Sequence, residues 1–328
     1  MDSFNAFRVY RKDKKISGLL EKTTLEELDQ GDVVIKAHYS SINFKDALGA
    51  LGKGQIFKKF PTVGGIDVSG VVESSDNPKF KKGDSVLVTG CGLGETHDGG
   101  YSEFVRVPSD WVVPLPENLS LKEAMIYGTA GFTSSICVHR MEANDQSPDK
   151  GPIVVTGASG GVGSFGVMMM SKLGYEVHAI SNKKESHDYL KSLGAHKVLS
   201  LEELDLGARP LEKGRYGGVI DNLGGDCLGR LIPHVNLWGN VASVGLAMGH
   251  TLNATVMPFI LRGVSLLGIS SANCPMELRL KLWDRVSKEL KSDNLSDIVF
   301  KEIPLSDIEK SCEELLERKV SGRVLVKI

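Results

Sequence analysis

The chain has 328 residues, of which 41% are hydrophobic and 24% charged, and its formal net charge is -2. This length is too great for one ordinary hydrophobic core and predicts two domains. A net charge so close to zero provides no positive surface for nucleic acid or for an anionic membrane, so we expect neither as a partner.

The five cysteines lie at least 38 residues apart, which leaves no C-x-x-C zinc pair and no dense disulfide framework. A reducing compartment, the cytoplasm, is the simpler inference. The beginning of the sequence is polar from Asp2 onward, and Arg262 breaks the apolar stretch from Val256 to Ile269. We therefore expect no signal peptide and no membrane span.

Residues 1 to about 123 contain short apolar and β-branched stretches separated by turn residues, a pattern that predicts a compact β domain. The predicted strands are Val33 to Ala37, Val68 to Val72, Ser85 to Thr89 and Phe104 to Val107.

A helical stretch begins near Lys122, and a loop at residues 144–151 leads to the apolar strand from Ile153 to Thr156. A tight turn and the start of a helix follow. Ala158, Gly160 and Gly163 occupy the three positions of the dinucleotide fingerprint G-x-G-x-x-G, with alanine in place of the first glycine. The free N–H groups at such a helix start bind a diphosphate. The alternative is a glycine-rich turn in another kind of α/β protein.

Strands and helices alternate after this turn, which predicts an α/β fold with a doubly wound parallel sheet. The predicted elements are a helix at Phe165 to Leu173, a strand at Glu176 to Ile180, a helix at Glu185 to Leu193, strands at Lys197 to Leu199 and Gly218 to Asp221, a helix at Cys227 to Val235 and a strand at Val241 to Val244.

The last part of the chain has helices predicted at Leu278 to Leu290 and Ser306 to Leu316, and a strand from Arg323 to Ile328. This tail does not repeat the strand–helix unit, so we expect it to return to the first domain. The predicted domains are residues 1–123 with 298–328, and residues 124–297.

Five motifs along the chain resemble the medium-chain dehydrogenase/reductase superfamily, and within it the acryloyl-CoA reductase and quinone-oxidoreductase-like group. They are S-S-I-N-F-K-D at 40–46, P-T-V-G-G-I-D at 61–67, G-T-A-G-F-T at 128–133, V-T-G-A-S-G-G-V-G-S at 155–164 and G-R-V-L-V-K-I at 322–328. The resemblance covers essentially the whole chain. It implies a GroES-like β domain followed by a Rossmann domain.

The resemblance also implies an enzyme without zinc. Zinc-dependent members place a cysteine where Asn43 stands and a histidine where Ile66 stands, and neither residue present here is a zinc ligand. The clustered cysteines of the structural zinc lobe are missing as well. We predict no metal.

The residues after the second Rossmann strand predict the cofactor. An NAD-binding fold has an acid there for the ribose hydroxyls, whereas this chain has Ser181, Asn182, Lys183 and Lys184. Hydroxyl, amide and ammonium groups donate to a 2′-phosphate, so the prediction is NADPH. The alternative is that the two lysines are solvated at a helix start.

Other cofactor contacts are implied by the resemblance alone. It assigns the pyrophosphate to the turn after the first Rossmann strand, the nicotinamide to the G-T-A-G-F-T motif, two contacts to later strand ends, and a closing contact to the tail. The residues are Ser159, Gly160, Gly161, Val162, Thr129, Asn222, Leu246 and Arg323. A surface role for Arg323 is the alternative.

The superfamily presents the loop Asn43-Phe44-Lys45-Asp46 to the nicotinamide. Phe44 has no acidic proton and serves at most in packing or cofactor contact. Asn43 is a candidate donor to a substrate carbonyl, and Lys45 and Asp46 are a candidate ion pair. The alternative is that both charged residues hold the loop backbone.

Two further sets of residues are candidates for contact with the substrate. Tyr127 is either a site residue or part of the core. Lys53, Lys58 and Lys59 either meet the phosphates of coenzyme A or are solvated.

The leading hypothesis is reduction of an activated carbon–carbon double bond by NADPH, with acryloyl-CoA as substrate and propionyl-CoA as product. Hydride adds to the β-carbon and a proton to the α-carbon. Hydrogen-bond donors stabilise the enolate-like charge without a metal. The alternatives are an NADPH:quinone oxidoreductase and a non-catalytic NADPH-binding protein.

Relatives in the superfamily commonly dimerise by pairing edge strands. The stretch from Val264 to Ile269 has the composition of such a strand. We expect a homodimer, and the alternative is an interior strand of the same sheet.

Overall fold

The computed structural model describes residues 3–13 and 15–328. They form two compact units. The first extends to residue 129 and includes 272–288 and 294–328; the second comprises 130–271 and 289–293. The predicted domain limits differ from these units mainly at 272–288, which lies in the first unit.

The N-terminal part of the first unit is built mainly from short strands. Its elements are β1 Phe4–Lys12, β2 Lys15–Thr23, β3 Val33–Ile42, α1 Phe44–Ala50, β4 Thr62–Val63, β5 Asp67–Ser75, β6 Ser85–Thr89, β7 Phe104–Val107 and β8 Val113–Pro114. Helix α2, Leu121–Glu142, follows and is interrupted by non-helical backbone at Gly128.

The second unit alternates strands and helices. Its elements are β9 Ile153–Val155, α3 Gly161–Lys172, β10 Val177–Ile180, α4 His187–Ser192, β11 Lys197–Leu199, β12 Tyr216–Asp221, α5 Gly225–Leu231, β13 Val235–Ser243, α6 Met257–Arg262 and β14 Ser265–Gly268.

The tail adds α7 Met276–Ser287, β15 Val299–Pro304, α8 Ile308–Leu316 and β16 Arg323–Lys327. Strand β16 pairs antiparallel with β3, so the tail returns to the first unit as predicted.

The first unit has a three-stranded sheet of order β2-β1-β4 and a seven-stranded sheet of order β15-β16-β3-β5-β6-β8, with β7 also paired to β3. Exposed and buried residues alternate in the middle of β3, from Ile35 to His38, and buried residues of β1 and β3 form two apolar clusters with neighbouring strands and α8. Alternation of this kind gives a sheet one buried and one solvated face.

The second unit has six parallel strands in the order β11-β10-β9-β12-β13-β14. In chain order within the unit this is 3-2-1-4-5-6, the arrangement of a dinucleotide-binding fold. Strands β9 and β12 are buried throughout, because helices cover parallel sheets on both faces. The predicted fold class is confirmed.

Several predicted elements have other bounds in the structure, and two of the differences concern helices. Residues 43–46 were expected in a loop, but α1 begins at Phe44, directly after its N-cap Asn43. The helix predicted from Cys227 to Val235 ends at Leu231, and a 3-10 turn with Pro233 follows. Proline has no N–H for an α-helical hydrogen bond, so the helix stops there.

Candidate active site

The turn between β9 and α3, residues 157–163, is the candidate anion site of the second unit; we call it the phosphate turn. Gly157 adopts a left-handed conformation with φ of 57°. A Cβ on Gly163 would lie 2.3 Å from the carbonyl oxygen of Gly157, so only glycine allows helix and turn to approach this closely. Gly160 is the exposed N-cap, and residues 161–164 contain no acid. The helix N-terminus therefore suits an anion.

Side chains around the phosphate turn fix its backbone. The Ser134 hydroxyl donates to the carbonyl oxygen of Val162 over 2.7 Å. Ser159 is 7% exposed, and its hydroxyl accepts a bond from Ser181 over 3.3 Å. Contact of Ser159 and Val162 with a diphosphate stays a prediction.

The end of β10 lies beside this turn. Ser181 is buried, and its hydroxyl accepts a bond from the backbone N–H of Lys183 over 3.2 Å. Asn182 is exposed, and its side-chain oxygen accepts a bond from the backbone N–H of Leu201 over 3.0 Å. That bond orients the Asn182 amide and leaves its NH2 group as a donor. The site fits a 2′-phosphate.

Asn222 and Leu246 follow the carboxyl ends of β12 and β13, where doubly wound sheets bind ligands. The Asn222 side chain donates to the carbonyl oxygen of Thr156 over 2.7 Å, which ties this loop to the end of β9. Leu246 is 64% exposed. Both residues stand at the predicted edge of the sheet, and their contact with a cofactor stays a prediction.

A buried polar cluster lies in the first unit; we call it the carboxylate network. Its members come from β3, α1, β5, the Gly128 kink and β16, and they are Ser41, Asn43, Asp46, Asp67, Thr129 and Arg323. Asp67 and Arg323 are 0% and 2% exposed, and Arg323 Nη2 lies 3.7 Å from Asp67 Oδ2. Buried charges are stable only when they are paired and hydrogen-bonded.

Arg323 donates hydrogen bonds within the first unit. Its guanidinium reaches the carbonyl oxygen of Ile126 at 3.0 Å, Asn43 Oδ1 at 3.0 Å and Ser41 Oγ at 2.6 Å. The alternative of a surface arginine is therefore wrong. A contact from Arg323 to a cofactor stays a prediction.

The Asn43 side chain is also hydrogen-bonded to neighbouring residues. Its side-chain N–H2 donates to Asp67 Oδ2 at 2.8 Å and to Asp46 Oδ2 at 3.2 Å. Asp46 Oδ2 also accepts the backbone N–H of Asn43 at 2.9 Å, which is the reciprocal bond of a capping box at the start of α1. A substrate carbonyl would have to compete with a carboxylate for this amide.

Burial, together with the charge of Asp67, raises the pKa of Asp46 to about 7. An acid with a raised folded-state pKa stabilises the fold at low pH, and this contribution is lost as pH rises from its unfolded value of about 3.9 to about 7. Asp46→Asn removes the titration. We expect the free energy of unfolding of the wild type, relative to Asp46→Asn, to fall by about 1.4 kcal/mol per pH unit between about pH 5 and 7.

Urea unfolding of both proteins across that range measures the difference, in which the titration of groups that do not interact with Asp46 cancels. A difference that rises with pH contradicts the assignment.

Lys45 and Asp46 do not form the predicted ion pair. The Lys45 ammonium lies 2.9 Å from Glu95 Oε1. Neighbouring helical residues point in different directions, so a loop interpretation led to the wrong partner. Phe44 is 48% exposed at the start of α1, and Tyr127 is fully buried.

The three lysines after α1 differ. Lys59 is partly exposed, but its ammonium pairs with Asp29 and lies 3.3 Å from Asp98, so two carboxylates compete with a phosphate for it. Lys53 and Lys58 are exposed.

Sequence reasoning missed Ser41 and Asp67. Asp67 accepts bonds from both Ser41 and Thr129. It is the last residue of the quoted motif at 61–67, but nothing in the local sequence shows that it is buried.

Two family models match the chain: "Alcohol dehydrogenase GroES-like domain" at residues 29–117 and "Zinc-binding dehydrogenase" at residues 161–288. Acrylyl-CoA reductase AcuI of Ruegeria pomeroyi is 41% identical over 99% of both chains. YhfP of Bacillus subtilis, provisionally named a quinone oxidoreductase, is 45% identical over 99% of both chains. The chain belongs to the medium-chain dehydrogenase/reductase family.

Solved structures of this medium-chain dehydrogenase/reductase family agree closely with the fold. The YhdH oxidoreductase of Salmonella enterica in complex with NADP is 44% identical over 99% of both chains, with a TM-score of 0.96. The YhfP structure with NAD bound is 45% identical over 100% of both chains, with a TM-score of 0.97.

At the two positions where zinc-dependent members of this family have zinc ligands, this chain has Asn43 and Ile66. Asn43 is bonded to two carboxylates, and Ile66 is buried with an aliphatic side chain. Among residues 3–13 and 15–328 no group of three or more histidine, cysteine or acidic side chains could hold a metal ion. Within the same residues no helix is long and apolar enough to cross a membrane.

Proposed function

We propose that this chain is an NADPH-dependent reductase of activated carbon–carbon double bonds, acting on a short enoyl thioester such as acryloyl-CoA. The observation that carries the cofactor assignment is the end of β10, where Ser181, Asn182 and Lys183 provide hydroxyl, amide and ammonium groups in place of an acid. The Asn182 amide and the Lys183 ammonium donate to a 2′-phosphate, whereas an acid repels it. The buried Ser181 hydroxyl donates to Ser159 and helps to fix this end of the strand.

Different groups of residues are proposed to bind the different parts of NADPH. The N–H groups at Ser159, Gly161 and Val162 are proposed to bind the pyrophosphate, and the end of β10 the 2′-phosphate. The Gly160 N–H is bonded to the Gly157 carbonyl oxygen over 3.0 Å, so Gly160 contributes only the close approach of its backbone. On the resemblance described above, Phe44 and Thr129 are proposed near the nicotinamide, Asn222 and Leu246 as cofactor contacts at the ends of later strands, and Arg323 as a closing contact from the tail. The bound NADPH supplies a hydride.

The protein must stabilise an enolate-like charge at the thioester oxygen and provide a proton. We propose Asn43 as the hydrogen-bond donor to the thioester oxygen. Its donated hydrogen is the amide hydrogen that now faces Asp46 over 3.2 Å, the longer of the two bonds made by this amide. One such donor is typically worth about 3 kcal/mol in the transition state. Asp46 positions Asn43 by capping α1, and Lys45 positions the same segment through Glu95.

Acryloyl-CoA as the substrate is supported by the name of the Ruegeria pomeroyi relative, which is similar along its whole length. A quinone is the second candidate, because the name of the Bacillus subtilis relative points to that activity. A non-catalytic NADPH-binding protein is the third. The products distinguish these functions, since only the first yields propionyl-CoA.

The test of the proposal uses NADPH that carries deuterium at its reactive ring carbon, on the face that the enzyme transfers. We expect propionyl-CoA with one deuterium, located at the β-carbon, as measured by mass spectrometry and NMR. The proposal fails if the protein consumes NADPH only with quinones, or if deuterium is found at the α-carbon.

Lys183→Glu tests the choice of cofactor. The new carboxylate repels the 2′-phosphate, so we expect the KM for NADPH to rise by about tenfold or more while the KM for NADH changes by less than about twofold. Steady-state kinetics with both cofactors measure the two values. Equal effects on NADPH and NADH contradict the assignment.

We propose further that the chain forms a homodimer through the edge of its six-stranded sheet. β14 stands at the end of the strand order. Exposed apolar side chains surround it, among them Trp238 and Ile260, which are 70% and 72% exposed. A second copy would bury this patch, and an exposed apolar surface of this kind is typical of an interface. A monomeric mass in light scattering at micromolar protein would reject the dimer.

We also propose a cytoplasmic location. The support is that Cys91, Cys137, Cys227, Cys274 and Cys312 are all free thiols, as expected in a reducing compartment.

A further inference from the structure

Several cations of the first unit gather where the hairpin of β1 and β2 meets the C-terminal end of α1. A Cβ on Gly52, two residues after the end of α1, would lie 2.9 Å from Ile16 Cγ1, so β2 packs closely against this turn. Ile16 is paired with Arg11 across the hairpin, and Lys53 directly follows Gly52. Paired residues share one face of the hairpin. The fold therefore brings Arg11 and Lys53 close together.

Phe60 holds the Arg11 side chain in this place. The guanidinium carbon lies 4.8 Å from the centroid of the Phe60 ring, and Arg11 is otherwise exposed. A guanidinium stacked on a ring keeps the N–H donors of its plane free. Lys58 precedes Phe60 by two residues and is exposed, and its backbone N–H donates to the carbonyl oxygen of Glu95 over 2.9 Å. We call Arg11, Lys53 and Lys58 the basic patch.

The charge of the basic patch is not neutralised by nearby acids, because these acids pair with other lysines. Glu95 pairs with Lys45 over 2.9 Å, and Asp29 pairs with Lys59. Within the described part of the chain, no member of the basic patch forms an ion pair. The patch is therefore a local positive surface on a chain whose net charge is -2, and such a surface attracts an anion.

The tip of the same hairpin adds positive charge. Lys12 and Lys15 are exposed and lie directly opposite each other in the pairing of β1 with β2. Like charges in this position repel each other and lower stability. Successive side chains of a strand point to opposite faces, so Lys12 is directed away from the face of Arg11. The two lysines raise the positive potential around the basic patch without lining it.

Helix α1 connects the basic patch with the proposed hydrogen-bond donor. Asn43 caps the N-terminal end of α1, whereas the patch lies beside its C-terminal end. The seven residues of α1 span about 10 Å. In coenzyme A the pantetheine arm separates the thioester from the phosphates, and its extended length exceeds this span. One molecule can therefore present its thioester oxygen to Asn43 and its phosphates to the basic patch.

We infer that the basic patch binds the phosphates of coenzyme A, with the dianionic 3′-phosphate as the main ligand group. Ammonium and guanidinium groups bind phosphate through charge-assisted hydrogen bonds. The inference rests on the proposed function and deepens it, because it names the part of the substrate that is recognised far from the reacting bond. The patch lies within the first unit.

The test compares coenzyme A with 3′-dephospho-coenzyme A, which lacks only that phosphate, by calorimetry. Loss of a charge-assisted contact corresponds to about a tenfold weaker Kd, so we expect the wild type to prefer coenzyme A by about tenfold. The double variant Lys53→Gln with Lys58→Gln should reduce this preference to about twofold or less. High salt should also reduce the preference of the wild type, because the patch is exposed.

The double variant Lys79→Gln with Lys81→Gln is the matched control. Both lysines are exposed in the loop between β5 and β6 of the same unit, so the control removes the same charge from another surface. We expect it to keep the tenfold preference. If the control loses the preference as well, the net charge of the protein explains the effect and the inference is overturned.

NADPH also carries phosphates, so its Kd distinguishes the two possible ligands of the patch. We expect the Lys53 and Lys58 double variant to bind NADPH within about twofold of the wild type. Equal weakening of NADPH and coenzyme A would assign the patch to the cofactor and overturn the inference. A wild type that does not distinguish coenzyme A from its dephospho form, or a double variant that keeps the full preference, would also overturn it. Absence of enoyl-CoA reduction would defeat the proposed function and leave these binding results standing.

Discussion

Arg323→Met is expected to lower the free energy of unfolding by about 3 to 5 kcal/mol, because it leaves the Asp67 carboxylate buried without its cation. Arg323 also holds Asn43 Oδ1 and Ser41 Oγ, so those atoms lose a charged donor at the same time. Methionine matches the length and apolar volume of the arginine stem, which separates loss of charge from creation of a cavity. Urea unfolding of the purified variant measures the loss.

The double variant Arg323→Met with Asp67→Asn is the control. Removing both charges eliminates the unpaired carboxylate, so we expect the double variant to recover at least about 1 kcal/mol relative to Arg323→Met alone. Two results would contradict a stabilising role of the buried Asp67–Arg323 pair. One is a loss of less than about 1 kcal/mol in the free energy of unfolding of Arg323→Met. The other is a double variant that is less stable than both the wild type and Arg323→Met.

Gly160→Ala is expected to raise the Kd for NADPH by about a hundredfold while leaving the melting temperature nearly unchanged. Its φ of -80° suits any residue, and the nearest atom to a new Cβ is the Gly157 carbonyl oxygen at 3.3 Å. The methyl group would instead occupy the place where the backbone approaches the pyrophosphate. Loss of two or so charged hydrogen bonds corresponds to a change of this size.

Gly163→Ala is the matched comparison in the same turn. Its Cβ would lie 2.3 Å from the Gly157 oxygen and 2.6 Å from Ala158 Cα, so backbone atoms must move. We expect a loss of about 1 to 3 kcal/mol in unfolding free energy as well as weaker NADPH binding. Calorimetry and thermal unfolding of both variants separate the two effects. A stable Gly163→Ala protein with normal binding would contradict the geometry of the phosphate turn.

The second unit was predictable because its signals are local. Strand β9, the phosphate turn and α3 are contiguous, and the absence of an acid after β10 is visible in the sequence itself. The predicted strand Lys197–Leu199 coincides with β11 of this unit, and in the first unit Ser85–Thr89 and Phe104–Val107 coincide with β6 and β7. The prediction missed Gly157 as the residue that forms the tight turn, because the fingerprint was aligned with Ala158 at its first position.

The first unit was harder because its decisive contacts are distant along the chain. Asp67 and Arg323 are 256 positions apart and meet only after β16 has paired with β3. Neither residue differs locally from a surface charge. The helix α1 had a local signal in Asn43 and Asp46, an N-cap and the third residue after it, but the motif was interpreted as a loop from family resemblance.

The β1–β2 hairpin was also missed. Its strands carry several charged residues, and a large part of β2 is exposed, so apolar alternation is weak there. Its register comes from pairing along nine residues and from the contact of β1 with β4, which sequence periodicity does not contain.

The measurement that tests the central claim most directly is NADPH oxidation by the purified wild-type protein, followed in parallel with acryloyl-CoA and with a small quinone. The account predicts a kcat/KM for acryloyl-CoA at least about a hundredfold above that for the quinone, because hydrogen-bond donors stabilise the enolate-like transition state. It also predicts that NADPH is preferred over NADH, because the end of β10 has no acid. Rapid quinone reduction with no reduction of acryloyl-CoA or any other short enoyl-CoA would contradict it.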